Sequence, residues 1–261
     1  MGKSVVFHSY KGGTGKTTLA ANVAAICAQK GRKVCVLDFD FRAPSLHFSF
    51  QAKPLPGKCV NDFLDGKCAI EDAIQALDIG KNGNLSAGFA DSSSKAMWDS
   101  TRRDRGWWSR AFRRVLDAKR TILKDLGFDY LIIDTSPGIQ DSSMNALAAA
   151  DIVVLVLKHD ELEVEGTRRL VEDFHKRLGR RTVMILNRAL ARPYEQVTVE
   201  QETSLCKRVE KLFGLPVLGA IPCYCDVLID GSQTLYSIEK PEHPFSQRLF
   251  QFANGIMEAR M

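Results

Sequence analysis

The chain has 261 residues and a formal net charge of +5, with 45% hydrophobic and 26% charged residues. These fractions are ordinary for a globular protein, the charge is too small to argue for nucleic acid by itself, and no apolar run approaches the ~18 residues of a transmembrane helix. Seven cysteines, an odd number, in a chain without a signal-peptide core favour reduced thiols in a cytoplasm over a disulfide framework.

Apolar runs alternate with segments of helical period, and we expect one α/β domain over residues 1–261. The predicted strands are Val5–His8, Val34–Asp38, Leu85–Phe89, Tyr130–Asp134, Ile152–Leu157, Thr182–Leu186 and Val217–Ile221. The predicted helices are Lys16–Gln29, Val60–Leu64, Ile70–Leu77, Trp107–Leu126, Ser142–Ala149, Val164–Leu178, Thr198–Phe213 and Phe245–Ala259. This alternation predicts a parallel sheet covered by helices, with ligands at the carboxyl ends of the strands.

The first strand and the first helix are joined by a glycine-rich loop with the sequence KGGTGKT, residues 11–17. A chance glycine-rich turn is the alternative, but strand, loop and helix in this order are typical of a phosphate-binding loop. Backbone N–H groups of such a loop surround phosphate oxygens, and the helix adds its positive N-terminal end. Lys16 would reach the β and γ phosphates, and the Thr17 hydroxyl would bind Mg²⁺ directly. The predicted nucleotide-binding residues here are Gly12, Gly13, Thr14, Gly15, Lys16, Thr17 and Thr18.

One position departs from the strict loop pattern, because Tyr10 stands where the first glycine is required and Lys11 follows it. The resulting K-G-G-x-G-K-T form resembles the deviant Walker A loop of the MinD/ParA family of ATPases. In that family the early lysine contacts the nucleotide held by the other subunit. The resemblance implies a P-loop three-layer sandwich with a mostly parallel sheet, and it implies that Lys11 binds nucleotide and acts in catalysis across a homodimer interface.

The second predicted strand ends in two carboxylates, Asp38 and Asp40, at the ligand edge of the sheet. A hydrolytic phosphate site needs carboxylates to orient the attacking water and to hold hydrated Mg²⁺. The pattern resembles the family's switch I, which implies that Asp40 positions the water and that Asp38 contacts Mg²⁺ through water. Two solvated carboxylates at a strand end are the alternative reading.

Residues 102–120 contain eight basic side chains and only two acidic ones. The basic residues are Arg102, Arg103, Arg105, Arg110, Arg113, Arg114, Lys119 and Arg120. Such a segment would bind DNA phosphates non-specifically, an acidic membrane surface or an acidic partner. An amphipathic helix with a solvated basic face is an equally good interpretation.

The segment Phe128–Gly138 resembles the family's Walker B strand followed by switch II. The resemblance implies that Asp134 holds a magnesium-bound water beside the phosphate loop. It also places the backbone N–H of Gly138 where the γ-phosphate would be sensed.

Two late segments, Val183–Arg188 and Leu218–Pro222, resemble the parts of the family that surround the base. Asn187 would read adenine with its amide, and Pro222 would lie in the segment whose backbone lines the base. GTPases carry an aspartate two to four residues beyond this strand, and none is present here. We therefore expect ATP rather than GTP.

Two cysteines, Cys223 and Cys225, follow Pro222 directly. Two thiolates are half of a tetrahedral zinc site, which a symmetric dimer would complete, although small residues lining the nucleotide pocket explain them as well. The last predicted helix has only Arg248 and Arg260 as basic residues near its apolar positions. Core packing is the expected role of that helix, and membrane anchoring is not expected.

We conclude from the sequence that the chain is a dimerising ATPase of the MinD/ParA type, with ATP or ADP and Mg²⁺ as cofactors. It would hydrolyse ATP slowly, respond to an activating protein partner, and serve DNA partitioning or cellular positioning. We expect it in the cytoplasm, and association with the nucleoid or with a membrane in the ATP state stays open. A metallochaperone using Cys223 and Cys225 is one alternative, and a non-hydrolysing nucleotide-bound interaction module is the other.

Overall fold

In the computed structural model, which describes residues 2–80, 84–158, 161–172, 178–189 and 198–258, eight strands form one sheet. The strands are β1 (Lys3–His8), β2 (Val34–Phe39), β3 (Gln75–Leu77), β4 (Leu85–Gly88), β5 (Tyr130–Thr135), β6 (Ile152–Leu157), β7 (Arg181–Asn187) and β8 (Val217–Ile221). Their order is β3-β4-β2-β5-β1-β6-β7-β8. Every neighbouring pair is parallel except β3 and β4, which are antiparallel at one edge.

Helices cover both faces of this sheet. They are α1 (Lys16–Gln29), α2 (Leu46–Ser49), α3 (Val60–Asp65), α4 (Ile70–Ala73), α5 (Ser94–Ser100), α6 (Arg105–Arg120), α7 (Asp141–Ala149), α8 (Glu161–Leu170), α9 (Val199–Phe213), α10 (Cys225–Asp230), α11 (Tyr236–Glu239) and α12 (Pro244–Glu258). A π-helical turn, Thr121–Asp125, extends α6, and a 3₁₀ turn, Gly231–Gln233, follows α10. No helix within the described ranges is long and apolar enough to cross a bilayer.

Alternating side chains of the buried strands divide the core into two layers. In β1, Val5 and Phe7 pack with α1 and α12 on one face, while Val6 packs on the other face with α6 and α7. Because a strand buried on both faces has no polar side, its sequence is a continuous apolar run. The predicted α/β class, with a mostly parallel sheet between two helical layers, is confirmed.

The predicted helix Ile70–Leu77 is wrong in its second half. The helix ends at Ala73, Ile74 is extended, and Gln75–Leu77 forms the antiparallel edge strand. Its three residues pair with Leu85–Ala87, so a tertiary pairing overrides the local helical preference. Short helices α2, α5, α10 and α11 were not predicted, and the first two lie in residues 43–58 and 90–106, which are the least regular stretches of the sequence.

Several helix bounds differ from the prediction. Helix α6 begins at Arg105 because the Asp104 side chain accepts a hydrogen bond from the Trp107 backbone N–H, a typical N-cap. Helix α8 extends over Glu161–Leu170, and residues 173–177 of the predicted helix lie outside the described residues. Ala259 and Arg260 also lie outside them.

The order of the strands determines where a ligand can bind. Strand β1 lies between β5 and β6, so the chain moves from one half of the sheet to the other at β1. Parallel sheets bind ligands at such a switch point, beyond the carboxyl ends of the strands. The loop after β1 and the ends of β2, β5, β7 and β8 all lie at this edge.

Candidate nucleotide-binding site

The glycine-rich loop after β1 depends on two glycines in left-handed conformations. Gly13 has φ +70° and Gly15, which caps α1, has φ +89°. A Cβ atom on Gly15 would also overlap the amide nitrogen of Asn187. Because other residues are strained at positive φ, this backbone requires glycine. The loop leads directly into α1, and the N–H groups of the first turn of a helix can bind an anion.

The two residues that open α1 lie beside Asp134 from β5. The Thr17 hydroxyl donates to Asp134 Oδ2 at 2.6 Å. Asp134 Oδ1 is buried and makes no hydrogen bond to the residues that the structure describes. Burial raises the pKa of Asp134 to about 6, although Lys16 and the Thr17 hydrogen bond oppose this shift. The carboxylate is therefore buried without a full set of partners, and a cation or a further hydrogen-bond donor would stabilise its charged form.

The two carboxylates after β2 differ in their surroundings. Asp38 is fully buried, and its oxygens accept hydrogen bonds from the backbone of Asp40 at 2.9 Å and of Leu46 at 3.3 Å. Burial and the neighbouring Asp134 raise the pKa of Asp38 well above its ordinary value. Asp40 is half-buried, and its Oδ1 accepts from the Ser136 hydroxyl at 2.8 Å and from Ala43 N–H at 3.1 Å.

The glycine-rich loop, Lys16 and Asp40 line a cavity of about 510 Å³ at the carboxyl edge, whereas Asp38 and Asp134 are not among its lining residues. Its walls are Gly12, Gly13, Gly15, Lys16, Thr17, Thr18, Asp40, Arg42, Ala43, Ser45, Ser136, Pro137, Gln140 and Arg188. A second cavity of about 60 Å³ adjoins it through shared walls. That cavity is lined by Gly15, Thr18, Asn187, Arg188, Ile221, Pro222, Tyr224, Val227, Leu228, Gly231 and Phe245. The larger cavity lies against the glycine-rich loop and the loops after β2 and β5, and the narrower one lies against Asn187 and the segment after β8.

Asn187 lines the narrower cavity. Its Nδ2 donates to the carbonyl oxygen of Thr14 at 2.7 Å, which ties the end of β7 to the glycine-rich loop. This bond uses one of the two amide N–H groups, and Oδ1 is the acceptor that the side chain can offer to a ligand. Pro222 lies opposite in the narrower cavity.

Lys11 and Gly12 lie at the outer side of the loop. Lys11 is half-buried, and its carbonyl oxygen accepts from the Ser9 hydroxyl at 2.7 Å. Gly12 is exposed, and a Cβ atom on it would meet only Pro137 Cγ within 4 Å, at 3.8 Å. Nothing described within this chain therefore requires glycine at position 12. The Gly138 N–H donates to Ser9 O at 2.8 Å, so in this conformation it does not point to a γ-phosphate.

Sequence reasoning missed several cations of the site. Arg188 lines both cavities, has the rare φ of +53°, and places Nη1 3.4 Å from Gly13 O. Arg42 lines the larger cavity. The Lys158 ammonium lies 3.8 Å from where a Cβ of Gly13 would be. Their positions directly after β7, β2 and β6 were the available signal, because those strand ends share the ligand edge.

The comparisons with known proteins agree with this geometry. Residues 2–184, which include the loop and both aspartate-bearing strands, match a family described as "AAA domain". The chromosome-partitioning ATPase Soj of Treponema pallidum is 29% identical over 223 residues, covering 85% of this chain and 83% of Soj. The chain belongs to the MinD/ParA family of P-loop ATPases.

Other relatives of this family cover the whole chain. An uncharacterized ATP-binding protein of Methanocaldococcus jannaschii is 29% identical over 264 residues, covering 100% of this chain and 89% of that protein. Among solved structures, the septum site-determining protein MinD of Pyrococcus horikoshii, complexed with Mg-ADP, superposes with a TM-score of 0.78. The two are 23% identical, with 99% of this chain and 97% of that chain covered. The shared fold is therefore that of MinD.

The basic segment 102–120 divides into two groups of side chains. Arg103 pairs with Asp65 at 2.8 Å, Arg114 donates to Phe63 O at 3.1 Å, and Lys119 pairs with Asp151 at 2.6 Å. These three attach α6 and the segment directly before it to neighbouring elements. The exposed basic side chains are Arg102, Arg105, Arg110, Arg113 and Arg120.

The two sequence features beyond Pro222 have different outcomes. Cys223 and Cys225 are free thiols, and the described residues contain no group of three metal-ligating side chains. This does not favour the metallochaperone alternative. In α12 the side chains of Phe245, Leu249 and Phe252 are buried against α1 and the sheet, as expected for core packing.

Proposed function

We propose that this protein is an ATP-dependent dimerising switch of the MinD/ParA type. It binds ATP with Mg²⁺, closes as a homodimer with two nucleotides at the interface, hydrolyses ATP slowly to ADP and phosphate, and reopens. The observation that carries the proposal is one cavity at the switch point, where Lys16, Thr17, Asp134 and Asp40 meet around a left-handed glycine loop. Nucleotide state would then determine which surface is displayed.

The oxygen donors fit magnesium. Thr17 Oγ1, the adjacent Asp38 and Asp134 Oδ1, which has no hydrogen-bond partner among the described residues, form the kind of hard oxygen set that Mg²⁺ prefers. Thr17 would hold the ion directly, and both aspartates would hold it through water. When bound, Mg²⁺ neutralises negative charge on the phosphates. Lys16 supplies a second positive charge to the same oxygens, and the loop N–H groups hold them in place.

The hydrogen bonds of Asp40 support the proposed role of this residue in orienting the attacking water. Three hydrogen bonds, from Ser136, Ala43 and Arg42, all go to Oδ1, which fixes the carboxylate and leaves Oδ2 to accept from water. Such a group contributes orientation and proton acceptance in the transition state rather than ground-state binding. Removing Asp40 is therefore expected to slow hydrolysis and to spare ATP binding.

The narrower cavity favours adenine. With its nitrogen bonded to Thr14 O, Asn187 offers an oxygen. That oxygen matches the exocyclic amino group of adenine, whereas the O6 atom of guanine would be a second acceptor facing it. A buried site that leaves acceptors facing each other discriminates strongly. We therefore propose ATP as the natural nucleotide.

Lys11 and Gly12 support a role across a dimer interface. Lys16 already serves the nucleotide of its own chain, and no described contact requires glycine at 12. An exposed residue without a side chain permits the close approach of another backbone. Lys11 would then meet the nucleotide of the other subunit, as an arginine finger does in other nucleotide hydrolases.

Sedimentation with ADP and with a slowly hydrolysed ATP analogue tests this proposal. The wild type is expected to be monomeric with ADP and dimeric with the analogue. Lys11→Ala and Gly12→Val are expected to bind nucleotide and remain monomeric. Asp40→Ala is the matched control, because it should dimerise with ATP itself and hydrolyse it slowly. A wild type that hydrolyses ATP as a monomer at high protein concentration would refute the sandwich mechanism.

A second proposal concerns the cargo surface. The five exposed arginines of residues 102–120 make no described ion pair, and Arg102 lies over the ring of Trp98, which is 59% exposed. A cavity beside Arg42 and Gln140 connects this region with the loops after β2 and β5. We propose that this surface binds DNA phosphates non-specifically in the ATP state, which would place the protein on the nucleoid.

Binding should weaken steeply with salt, and the double variant Arg110→Glu/Arg113→Glu should abolish it. Unchanged binding would leave these arginines as a solvated face.

A further inference from the structure

Tyr10, which directly precedes Lys11, packs its ring against the backbone of α8. A Cβ atom built on Gly166 would lie well under 3.0 Å from three ring atoms of Tyr10, a separation that Cβ atoms essentially never show. Apart from proline, glycine is the least favourable residue in a helix interior. The glycine at 166 is therefore explained by the ring that lies on it.

The backbone around Tyr10 is held from a second direction. The Gly138 N–H, from the loop after β5, donates to Ser9 O at 2.8 Å, and a Cβ atom on Gly138 would lie 3.3 Å from Tyr10 O. The Ser9 hydroxyl donates to Lys11 O at 2.7 Å. The segment from Ser9 to Lys11 is thus held between α8 and the loop after β5.

We propose that Tyr10 is a positioning residue that, seated on Gly166, sets the direction in which Lys11 leaves the loop. The inference rests on the proposed role of Lys11 across the dimer interface. Neither Tyr10 nor Gly166 is among the described residues that line the two nucleotide cavities, so Tyr10 acts through Lys11. Because the contact spans two elements, a displacement of α8 is transmitted to Lys11.

The same contact explains why this loop departs from the strict pattern at position 10. The Tyr10 ring is half-buried against the core layer that contains α6, α7 and α8. A glycine at position 10 would leave a ring-sized space between the loop and α8, and the backbone before Lys11 would lose its support. In a close-packed interior such a space is costly.

Gly166→Ala tests the proposal, with Gly106→Ala as its matched control. Each change adds one methyl group to a helical glycine, but a Cβ on Gly106 would have its nearest neighbour, Asp104 Oδ1, at 3.4 Å, which is ordinary contact. We expect Gly166→Ala to bind ADP within about twofold of the wild type and to weaken analogue-dependent dimerisation about tenfold or more. Gly106→Ala should dimerise as the wild type does.

Two further variants separate positioning from folding. Tyr10→Phe keeps the ring and should dimerise as the wild type does. Tyr10→Ala/Gly166→Ala restores the space, so its thermal stability should exceed that of Gly166→Ala, whereas dimerisation should not recover because the ring is missing. Full recovery of dimerisation in that double variant would overturn the proposal.

Amide hydrogen exchange in the ADP-bound monomer gives a readout that needs no dimer. The amides of residues 11–13 should exchange faster in Gly166→Ala than in Gly106→Ala, because the support of Lys11 is displaced. Equal exchange in the two variants would overturn the positioning role. A wild type that remains monomeric with the analogue would instead refute the nucleotide sandwich, so the two failures are distinguishable.

Discussion

Two aspartates at opposite edges of the same sheet differ in their hydrogen-bond partners and in the direction of their pKa shifts. Asp151, at the amino edge, accepts hydrogen bonds from Ser4 N at 2.8 Å, from the Ser4 hydroxyl at 2.9 Å and from Lys119 Nζ at 2.6 Å. Burial alone would raise the pKa of Asp151, but these partners outweigh it and hold that pKa below the ordinary value. Asp134, at the carboxyl edge, has one bond from Thr17, an unpartnered Oδ1 among the described residues, and a raised pKa.

The difference distinguishes a carboxylate with a structural role from one that is available to a ligand. A buried polar group whose hydrogen bonds are complete stabilises the fold, whereas one left incomplete costs stability unless a ligand completes it. The carboxylate at the amino edge of the sheet, beside α6, therefore has its hydrogen-bond partners within the fold. The carboxylate at the carboxyl edge, beside α1, lacks part of them among the described residues. Perturbed groups that lie together in a cleft are a physical signature of function.

The largest expected effect is the loss of ATP affinity on removal of Lys16 at the carboxyl edge, and removal of Lys119 at the amino edge is the comparison. Lys16→Ala should weaken ATP binding by about 100-fold or more, roughly 3 kcal/mol, because a charge-assisted contact to phosphate is lost from a desolvated site. Lys119→Ala should leave ATP affinity within about twofold and lower the free energy of unfolding by about 1–2 kcal/mol. Calorimetric titration with ATP and urea unfolding measure the two quantities. If Lys119→Ala weakened binding as much as Lys16→Ala, the two edges would not be functionally distinct.

Neutralising each aspartate in turn should show which of the two contributes to the free energy of unfolding and which contributes to the stabilisation by bound ligand. Asp151→Asn should lower the free energy of unfolding by about 2 kcal/mol, because the new amide N–H groups would face either the Lys119 ammonium or the Ser4 N–H, and that donor would lose its acceptor. Asp134→Asn should change it by less than about 1 kcal/mol, since the cost of burying the charge and its attraction to Lys16 offset each other.

Thermal unfolding with and without Mg-ADP completes this test. Asp151→Asn should retain the full ligand-induced rise in Tm, which follows from binding to the native state alone. Asp134→Asn should lose the part of that rise that depends on Mg²⁺. An undiminished Mg²⁺-dependent rise in Asp134→Asn would remove Asp134 from the proposed metal site.

Much of this fold was predictable because its elements are locally specified. Strand Ile152–Leu157 and helix Lys16–Gln29 have the predicted bounds, since an apolar run and a glycine-capped helix are visible in the sequence. Strand Gln75–Leu77 was missed because three residues have no measurable period and their pairing lies on another strand. Short helices in the stretches predicted to be irregular were missed for the same reason.

The site was predictable in its members and less so in its contacts. The predicted loop, Asp40 and Asp134 surround one cavity or contact its lining residues, although their roles stay predictions. The bond from Asn187 to Thr14 joins residues 173 positions apart, so only the folded chain reveals it. Arg188 was missed because a positive φ in a non-glycine residue has no sequence signal.

The smallest expected effect is the pH dependence of the stabilisation that Asp151 provides at the amino edge. Hydrogen bonds from Lys119 and Ser4 depress the pKa of Asp151 in the folded state below its ordinary 3.8. The stabilisation that the ionised group provides is therefore complete above the unfolded value and is lost as pH falls through the folded one. The difference in unfolding free energy between the wild type and Asp151→Asn should be constant from pH 7 to pH 5. It should narrow by about 1 kcal/mol or less below the ordinary pKa, because the pair is partly exposed to solvent. Urea unfolding of both proteins across this range measures the difference. A difference that grows as the pH falls would mean that Asp151 is stabilised in its protonated form. The ionised carboxylate at the amino edge would then be no better satisfied by hydrogen bonds than the one at the carboxyl edge.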